Sequence, residues 1–227
     1  MIADFSTIVA RNMGIRHRGR WILRPTTFGI TSGVVGLAGP PCSGRSALLE
    51  TLATLRRPSV GELELLGHDV TGAAGQRAVR ARLGFLPDRF GWAAGVTARE
   101  FVAYAAYFKA TPNHAVDAIL ERFELSDAAE LEMDMLPADL RLRTGLAATC
   151  VHQPDLVFLD EPLHSIPDSE RDELIGLLRG LAPTVVVTAP DAAELTGWCD
   201  RVFTIVRARL IESLEVSRSW SQVPAGV

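Results

Sequence analysis

The stretch of residues 33–46 constrains the fold of this chain more strongly than any other stretch. Residues 33–39 form a short apolar run that ends in glycine, which is typical of a buried β-strand. The sequence GPPCSGRS follows at residues 39–46, and residues 46–55 then have the composition of a helix. A loop of this kind presents backbone N–H groups and a helix N-terminus, both of which suit an anion. The candidate phosphate-binding residues are Gly39, Cys42, Ser43, Gly44, Arg45 and Ser46.

The spacing of this loop is that of the phosphate loop GxxxxGK[ST], with arginine in place of the expected lysine. The hydroxyl of Ser46 would help to hold Mg²⁺ in such a loop. The chain contains a single lysine, Lys109, which lies far along the sequence. No second lysine is therefore available to bind a phosphate.

Apolar runs and helical patterns alternate along the rest of the chain. Residues 5–30 favour short antiparallel strands, and strands are expected at residues 62–66, 83–87, 156–159, 184–187 and 202–205. Residues 92–150 form a mostly helical block with a capping box at Thr97 and Glu100 and a second helix opened by Thr111 and Pro112. A further helix is expected over residues 168–180. The order of these elements predicts an α/β fold with a mostly parallel sheet.

Composition excludes several classes of protein. The chain carries 23 basic and 27 acidic residues, for a net charge of −4, so we expect no nucleic-acid partner. Its three cysteines are widely separated, which fits neither a disulfide framework nor a zinc site. The N-terminus has no apolar signal core and no run reaches the roughly 20 apolar residues that cross a bilayer. We therefore expect a soluble protein of a reducing, intracellular compartment.

Two carboxylates follow the apolar run at residues 156–159. Asp160 and Glu161 stand where a strand should end, as in the Walker B motif of phosphate-loop proteins. In that arrangement Asp160 would hold Mg²⁺ through water, and Glu161 would be the general base for an attacking water. With Ser46, Asp160 completes the candidate magnesium site.

With these motifs in place, the sequence resembles the nucleotide-binding subunit of an ABC transporter. The resemblance runs through residues 59–70, 83–88, 152–162 and 199–202 and covers nearly the whole chain. It implies one nucleotide-binding domain over residues 1–227, of the P-loop NTPase type. A core with an antiparallel β part would comprise about residues 1–91 and 151–227, and an inserted helical subdomain about residues 92–150. It also implies that ATP and Mg²⁺ are the cofactors.

The same resemblance implies partners and a location. An ABC nucleotide-binding subunit couples to a transmembrane transporter subunit and pairs with a second nucleotide-binding subunit, as a homodimer or a heterodimer. It lies in the cytoplasm, peripheral on the inner face of the cell membrane. The aromatic residues Phe90, Trp92 and Phe101 fall where the family receives the membrane subunit. We expect Trp92 to be exposed and Phe101 to pack within the helical block.

The sequence departs from the family at residues that contact nucleotide. Arg45 replaces the lysine of the phosphate loop, and Cys42 adds a side chain where the family has glycine. Asp88 replaces the glutamine of the Q-loop. Pro190 replaces the histidine of the H-loop and has no side-chain donor. The aromatic residue that stacks on adenine would be His17 or Trp21.

The signature segment, which meets the ATP of the opposing subunit in the family, is also altered. It reads LPADL at residues 136–140, so Pro137 removes a backbone N–H and Asp139 adds negative charge. Two like charges about 4 Å apart repel by roughly 4 kcal/mol at an effective dielectric constant near 20. Proline and aspartate are also favourable residues at the start of a helix. Helix stability alone can therefore explain Pro137 and Asp139, without any role in binding ATP.

These departures favour a degenerate nucleotide-binding subunit with weak or absent ATP hydrolysis. The alternative is an active ATPase in which Arg45 and Glu161 suffice. A soluble nucleotide kinase and a family member acting on nucleic acid are less consistent with the Walker B segment and the acidic balance. We further hypothesise that Arg45 pairs with Asp160 or Glu161, because a guanidinium matches a carboxylate with two parallel hydrogen bonds.

Overall fold

The structure is a computed structural model that describes residues 6–213. A six-stranded sheet forms its centre, in the order β10-β9-β3-β8-β7-β6. The five strands from β9 to β6 are parallel, and β10 is antiparallel to β9. The strands are β3 (Gly33–Ala38), β6 (Leu83–Leu86), β7 (Leu156–Leu159), β8 (Thr184–Ala189), β9 (Arg201–Val206) and β10 (Arg209–Ser213). Residues of β7 and β8 are buried on both faces, which explains their continuous apolar and β-branched sequences.

A second sheet of four antiparallel strands has the order β2-β1-β4-β5. Its strands are β1 (Ile8–His17), β2 (Arg20–Ile30), β4 (Val60–Leu65) and β5 (His68–Asp69). The prediction of short strands over residues 5–30 was wrong in length, because β1 and β2 have 10 and 11 residues. Irregular register between the two strands lets them bend while they stay paired. Residue 5 itself lies outside the described residues.

Six α-helices accompany the sheets in the described residues. They are α1 (Arg45–Leu52), α2 (Ala73–Arg80), α3 (Ala98–Phe108), α4 (His114–Arg122), α5 (Ala138–Cys150) and α6 (Asp168–Arg179). The predicted capping box of α3 is confirmed: the Thr97 side chain accepts from the Glu100 backbone, and the Glu100 carboxylate accepts from the Thr97 backbone. The second helix of the block begins at His114, three residues later than the Thr111–Pro112 pair indicated.

Helices α3, α4 and α5 all lie between β6 and β7 in the chain, where the sequence predicted a helical block. Two apolar clusters hold the molecule together. One packs these helices and α6 against the six-stranded sheet, and the other packs α1 and the four-stranded sheet against it. Within residues 6–213, no helix combines the length and the apolar character needed to cross a membrane.

Candidate functional site

The strand order of the six-stranded sheet places the C-terminal ends of β3, β8 and β7 side by side. The loop after β3 leads into α1, and Asp160 and Glu161 follow β7 directly. Strand β8 lies between β3 and β7, with Leu37 opposite Thr188 and Leu159 opposite Val187. Neighbouring strands are about 4.8 Å apart, so the loop and the two carboxylates are about two strand spacings apart. A long side chain can cross that distance.

The backbone of the loop has the curled conformation that a phosphate cradle needs. Gly39 and Gly44 have φ values of 152° and 104°, and Cys42 adopts a φ of 62°. Gly44 also packs closely on β2, since a Cβ built there would lie 2.3 Å from Cγ2 of Ile22. Only glycine fits at that position without displacing Ile22. The backbone of Cys42 is in the left-handed region, which is uncommon for a residue with a side chain, and Cys42 is exposed.

Arg45 is the first residue of α1 and does not point to solvent. Its side chain is 7% exposed, and its Nη2 lies 2.7 Å from Oε1 of Glu161, whose side chain is 20% exposed. The hypothesis of an ion pair is confirmed, and Glu161 rather than Asp160 is the partner. Arg45 Nη1 is buried and has no hydrogen-bond partner among residues 6–213. Glu161 has a φ of 47°, an uncommon backbone conformation for a residue with a side chain.

Thr188 near the end of β8 connects the two carboxylate residues, and sequence reasoning did not find it. Its hydroxyl donates to Oδ1 of Asp160 at 2.7 Å and accepts from the backbone N–H of Glu161 at 2.8 Å. Thr188 is 1% exposed and Asp160 is 9% exposed. The available signal was Thr188 itself, the polar residue that directly follows the run TVVV at residues 184–187.

The residues of the loop fit nucleotide and Mg²⁺ only in part. The backbone curl and the exposed start of α1 at Ser46 suit an anion and a metal-bound hydroxyl. Ser43 Oγ is buried without a hydrogen-bond partner in the described part of the chain, so it is available to a ligand. The cationic side chain does not fit, because Arg45 is already bound to the carboxylate that would activate water. Asp160 likewise accepts a hydrogen bond from Thr188.

The remaining predicted site residues are only partly brought together. Asp88, Asp160 and Glu161 line one cavity of about 320 Å³ between the end of β6, the end of β7 and the start of α5. Pro190 lies on a different, smaller cavity of about 50 Å³, which Glu161 also lines. Asp139 stands in the first turn of α5, with Pro137 as the N-cap residue, and does not line either cavity.

The two candidates for an adenine-stacking residue lie at the tip of the β1–β2 hairpin. His17 is exposed, and Trp21 is half-buried with the guanidinium of Arg16 3.9 Å from the centre of its ring. One face of the Trp21 ring is therefore covered by a side chain. An adenine could stack only on the part of the Trp21 ring that the Arg16 guanidinium does not cover.

The three aromatic residues of the expected docking region contact one another. The ring centre of Phe90 lies 5.8 Å from that of Trp92 and 5.7 Å from that of Phe101. The prediction that Trp92 is exposed was wrong: it is half-buried, and its Nε1 donates to Oδ1 of Asp134 at 2.8 Å. The indole N–H finds a partner across the block, which holds the ring against its neighbours. Phe101 is half-buried and packs in the block as expected.

A groove of about 400 Å³ includes Phe90 and Phe101 of this aromatic group in its wall, and we call it the apolar groove. It is lined mainly by Leu55, Leu83, Phe85, Phe90, Phe101, Phe108, Lys109 and His152. The side chains of Leu55 and Phe108 are 59% and 81% exposed, so they stand at its rim.

Two titratable side chains of the groove converge on one backbone oxygen. Lys109 Nζ donates to the carbonyl of Leu83 at 2.9 Å and to that of Arg80 at 2.7 Å, and His152 Nε2 lies 3.2 Å from the same Leu83 oxygen. Burial lowers the pKa of Lys109. Burial, together with the nearby Lys109 ammonium, lowers the pKa of His152 to about 4. His152 is therefore neutral at neutral pH and donates to Leu83 from Nε2.

A phosphate loop after a buried parallel strand and an acidic pair after another strand two positions away define a P-loop nucleotide-binding domain. The comparison with known families then identifies the particular family. The family described as ABC transporter matches residues 23–164. The chain therefore belongs to the ABC transporter family.

Related proteins carry names of the same kind. The "Daunorubicin resistance ATP-binding protein DrrA3" of Streptomyces coeruleorubidus is 31% identical over 185 residues, covering 78% of this chain and 58% of the relative. The "Probable multidrug ABC transporter ATP-binding protein YbhF" of Escherichia coli is 29% identical over 189 residues, covering 79% of this chain and 32% of the relative. The matched region is thus less than two thirds of these relatives' length.

Solved structures agree on the fold. The structure of cbiO1 from Clostridium perfringens has a TM-score of 0.79 at 19% identity and covers 92% of this chain and 88% of that one. The ATP-binding cassette MJ0796, solved as a dimer bound to ADP and Pi, has a TM-score of 0.80 at 19% identity, covering 91% and 97%. These likenesses confirm the predicted α/β fold of the P-loop type.

Proposed function

We propose that this chain is a degenerate nucleotide-binding subunit of an ABC transporter, which couples to a separate membrane subunit and hydrolyses ATP weakly or not at all. The observation that carries the proposal is the ion pair between Arg45 and Glu161. It joins the cation of the phosphate loop to the carboxylate expected to act as general base. Neither group is then free for its role in the reaction.

The burial of this pair makes it a strong competitor for a phosphate. Separating a buried ion pair leaves an uncompensated charge, which costs about 3 kcal/mol or more. A ligand that has to separate Arg45 from Glu161 loses that amount of binding free energy, which corresponds to at least about a hundredfold in affinity. Arg45 Nη1, which is buried and unpaired in the described part of the chain, is a guanidinium atom through which a phosphate could be bound without breaking the pair.

The family resemblance points in the same direction at four other positions. Pro190 offers no side-chain hydrogen bond where the family has a histidine, and Asp88 is a carboxylate where the family has an amide. Pro137 and Asp139 give the start of α5 a missing N–H and a negative charge. With Arg45 held by Glu161, this subunit would bind ATP poorly in its own phosphate loop. With a signature segment that repels phosphate, it would also interact poorly with the ATP held by a partner subunit.

The partner of this subunit would be a transmembrane transporter subunit, and the docking surface would be the apolar groove. The groove is open, apolar and rimmed by Leu55 and Phe108. Tyr104 and Tyr107 extend the exposed aromatic surface along α3, at 60% and 78% exposure. Exposed apolar surface of this kind is typical of an interaction site. This partner would hold the chain on the cytoplasmic face of the membrane, paired with a second nucleotide-binding subunit.

The alternative function is an active ATP-hydrolysing subunit. The observation that favours it is that Ser46, Asp160 and Glu161 are all present in the required order at one sheet edge. Under this alternative Arg45 would leave Glu161 when ATP binds and would neutralise the phosphates. Glu161 would then be free to act as general base.

ATP turnover by the assembled complex separates the two functions. The tagged chain is isolated from native membranes with the proteins bound to it, and phosphate release is compared between the wild-type chain and E161Q. The degenerate subunit predicts a membrane protein in the isolate and the same turnover in both samples. Turnover that falls by a factor of ten or more in E161Q would establish the active alternative, and an isolate without a membrane protein would contradict the transporter role.

A further inference from the structure

Although the chain has an acidic net charge, part of its surface is strongly basic. Residues 11–24 contain five arginines and no acidic residue. Ten exposed arginines have no ion-pair partner in the region from residue 6 to residue 213, and seven of these ten lie on the β1–β2 hairpin, at residue 57 or in the β9–β10 segment. We call these seven the arginine patch: Arg16, Arg18, Arg20, Arg24, Arg57, Arg207 and Arg209. Because the whole chain has a net charge of −4, the rest of the molecule is markedly acidic.

Backbone contacts bring together the three parts of the chain that carry these arginines. Arg18 and Gly19 form the two-residue turn of the β1–β2 hairpin, with φ values of 48° and 80°. The backbone N–H of Arg24 donates to the carbonyl of Ala208 at 2.7 Å, which places the β9–β10 turn and its Arg207 beside β2. The backbone N–H of Arg16 donates to Oγ of Ser59 at 2.8 Å, which brings Arg57 close to the hairpin.

The arginine patch adjoins the apolar groove. Arg57 follows Leu55 by two residues, and Leu55 lines the groove together with Phe108. The same segment reaches the hairpin, since the Ser59 N–H donates to the carbonyl of Gly14 at 2.8 Å. An exposed basic surface therefore begins where the exposed apolar surface of Leu55, Phe108 and Tyr107 ends. Basic residues next to exposed aromatic residues are typical of proteins that rest on a membrane surface.

We propose that the arginine patch binds anionic lipid headgroups and so orients the chain on the membrane beside its transmembrane partner. The cytoplasmic leaflet is negatively charged, and each arginine near it raises the affinity about fivefold. The patch is less suited to nucleic acid, because the one aromatic ring within it, Trp21, has a face covered by Arg16 and cannot stack freely on bases. The inference extends the proposed docking to a membrane subunit and is independent of the state of the ATP site.

The test is co-sedimentation of the purified full chain with protein-free vesicles. One set of vesicles is phosphatidylcholine alone, and the other is an equal mixture of phosphatidylcholine and phosphatidylglycerol. We expect binding to the anionic vesicles only, with an affinity that falls as salt is raised. The variant R18E/R20E/R57E should lose at least about a hundredfold in affinity, since three favourable charges become repulsive.

Two control variants separate charge from folding. R18K/R20K/R57K keeps the charge and should bind like the wild type, and R77E reverses an exposed charge on α2 outside the patch and should bind within a factor of about three of the wild type. Circular dichroism melting of each variant shows that it folds. Equal binding to both vesicle types, or unchanged binding of the triple reversal, would overturn the proposal.

A nucleic-acid partner is the remaining outcome. A duplex RNA and a duplex DNA oligonucleotide are titrated against the same protein in the same buffer. Tight oligonucleotide binding without binding to anionic vesicles would overturn the lipid assignment. Because the vesicles contain no membrane subunit and no ATP, failure here leaves the proposed transporter function to be judged by turnover alone.

Discussion

The Nη2 atom of Arg45 and the Oε1 atom of Glu161 are 2.7 Å apart, and this contact joins the start of α1 to the end of β7 across strand β8. An arginine side chain is long enough to span the two strand spacings that separate the start of α1 from the end of β7. The pair therefore links the start of α1 to the residue two positions after the end of β7, beside the phosphate loop. Its contribution to stability can be measured without any ligand.

The first prediction concerns the stability of this pair. R45A should lower the free energy of unfolding by about 2 to 4 kcal/mol, because the largely buried Glu161 carboxylate loses its guanidinium partner at 2.7 Å and keeps only His164 Nδ1 at 3.9 Å. R45M/E161L removes both charges and should cost much less than R45A alone, since apolar residues of similar volume often replace a buried ion pair without loss. Urea unfolding followed by circular dichroism measures both values. A double variant as unstable as R45A would show that the two side chains are not energetically coupled.

The second prediction concerns Thr188. T188V removes the hydroxyl that donates to Asp160 and accepts from the Glu161 N–H, so two buried groups lose a partner. We expect a loss of about 2 to 3 kcal/mol in the free energy of unfolding. T149V is the matched control, because the Thr149 hydroxyl donates only to the Gly145 carbonyl of its own helix, and about 1 kcal/mol or less is expected there. Equal effects of the two variants would contradict a special role for Thr188.

The third prediction is a dependence of stability on pH that originates at His152. Its pKa lies at about 4 in the folded chain against 6.5 for the free side chain, so the unfolded chain binds the proton first as pH falls. The stabilising contribution is complete above pH 6.5 and is lost progressively between pH 6.5 and 4. H152Q can still donate to the Leu83 carbonyl but does not titrate. Urea unfolding at several pH values in this window should therefore show a shallower decline for H152Q than for the wild type. Parallel curves would assign the decline to other groups.

The fourth prediction concerns restoration of the phosphate loop. R45K should leave ATP turnover of the isolated assembly unchanged, because Asp88 and Pro190 still lack the groups of the family. R45K/D88Q/P190H should exceed R45K in phosphate release if those side chains are the missing parts. A rise of tenfold or more in R45K alone would show that the arginine is the single defect.

The sequence predicted the parts of this site that depend on neighbouring residues better than the parts that depend on contacts between distant segments. The phosphate loop, the acidic pair after β7 and the capping box of α3 all depend on neighbouring residues, so their patterns were readable. The partner of Arg45 was narrowed to Asp160 or Glu161 by charge alone. Choosing between them required the three-dimensional structure, in which the Glu161 carboxylate lies 2.7 Å from Arg45 Nη2.

Other features depended on contacts between distant segments and were missed. Trp92 was expected to be exposed because it follows glycine, yet Asp134 from another turn binds its indole N–H. Thr188 becomes informative only when β8 is known to lie between β3 and β7. The arginine patch was hidden by the net charge, since its members come together only through the hairpin and the contact of Arg24 with Ala208.

The central claim is that the Arg45–Glu161 pair keeps the phosphate loop from gripping nucleotide, and its most direct test is a calorimetric titration of the purified full chain with ATP and Mg²⁺. The account predicts a dissociation constant of about 1 mM or weaker, equivalent to no more than about 4 kcal/mol of binding free energy. Saturation at about 1 μM, the range of some 8 kcal/mol, would show that the loop holds nucleotide firmly despite its arginine and would contradict the account.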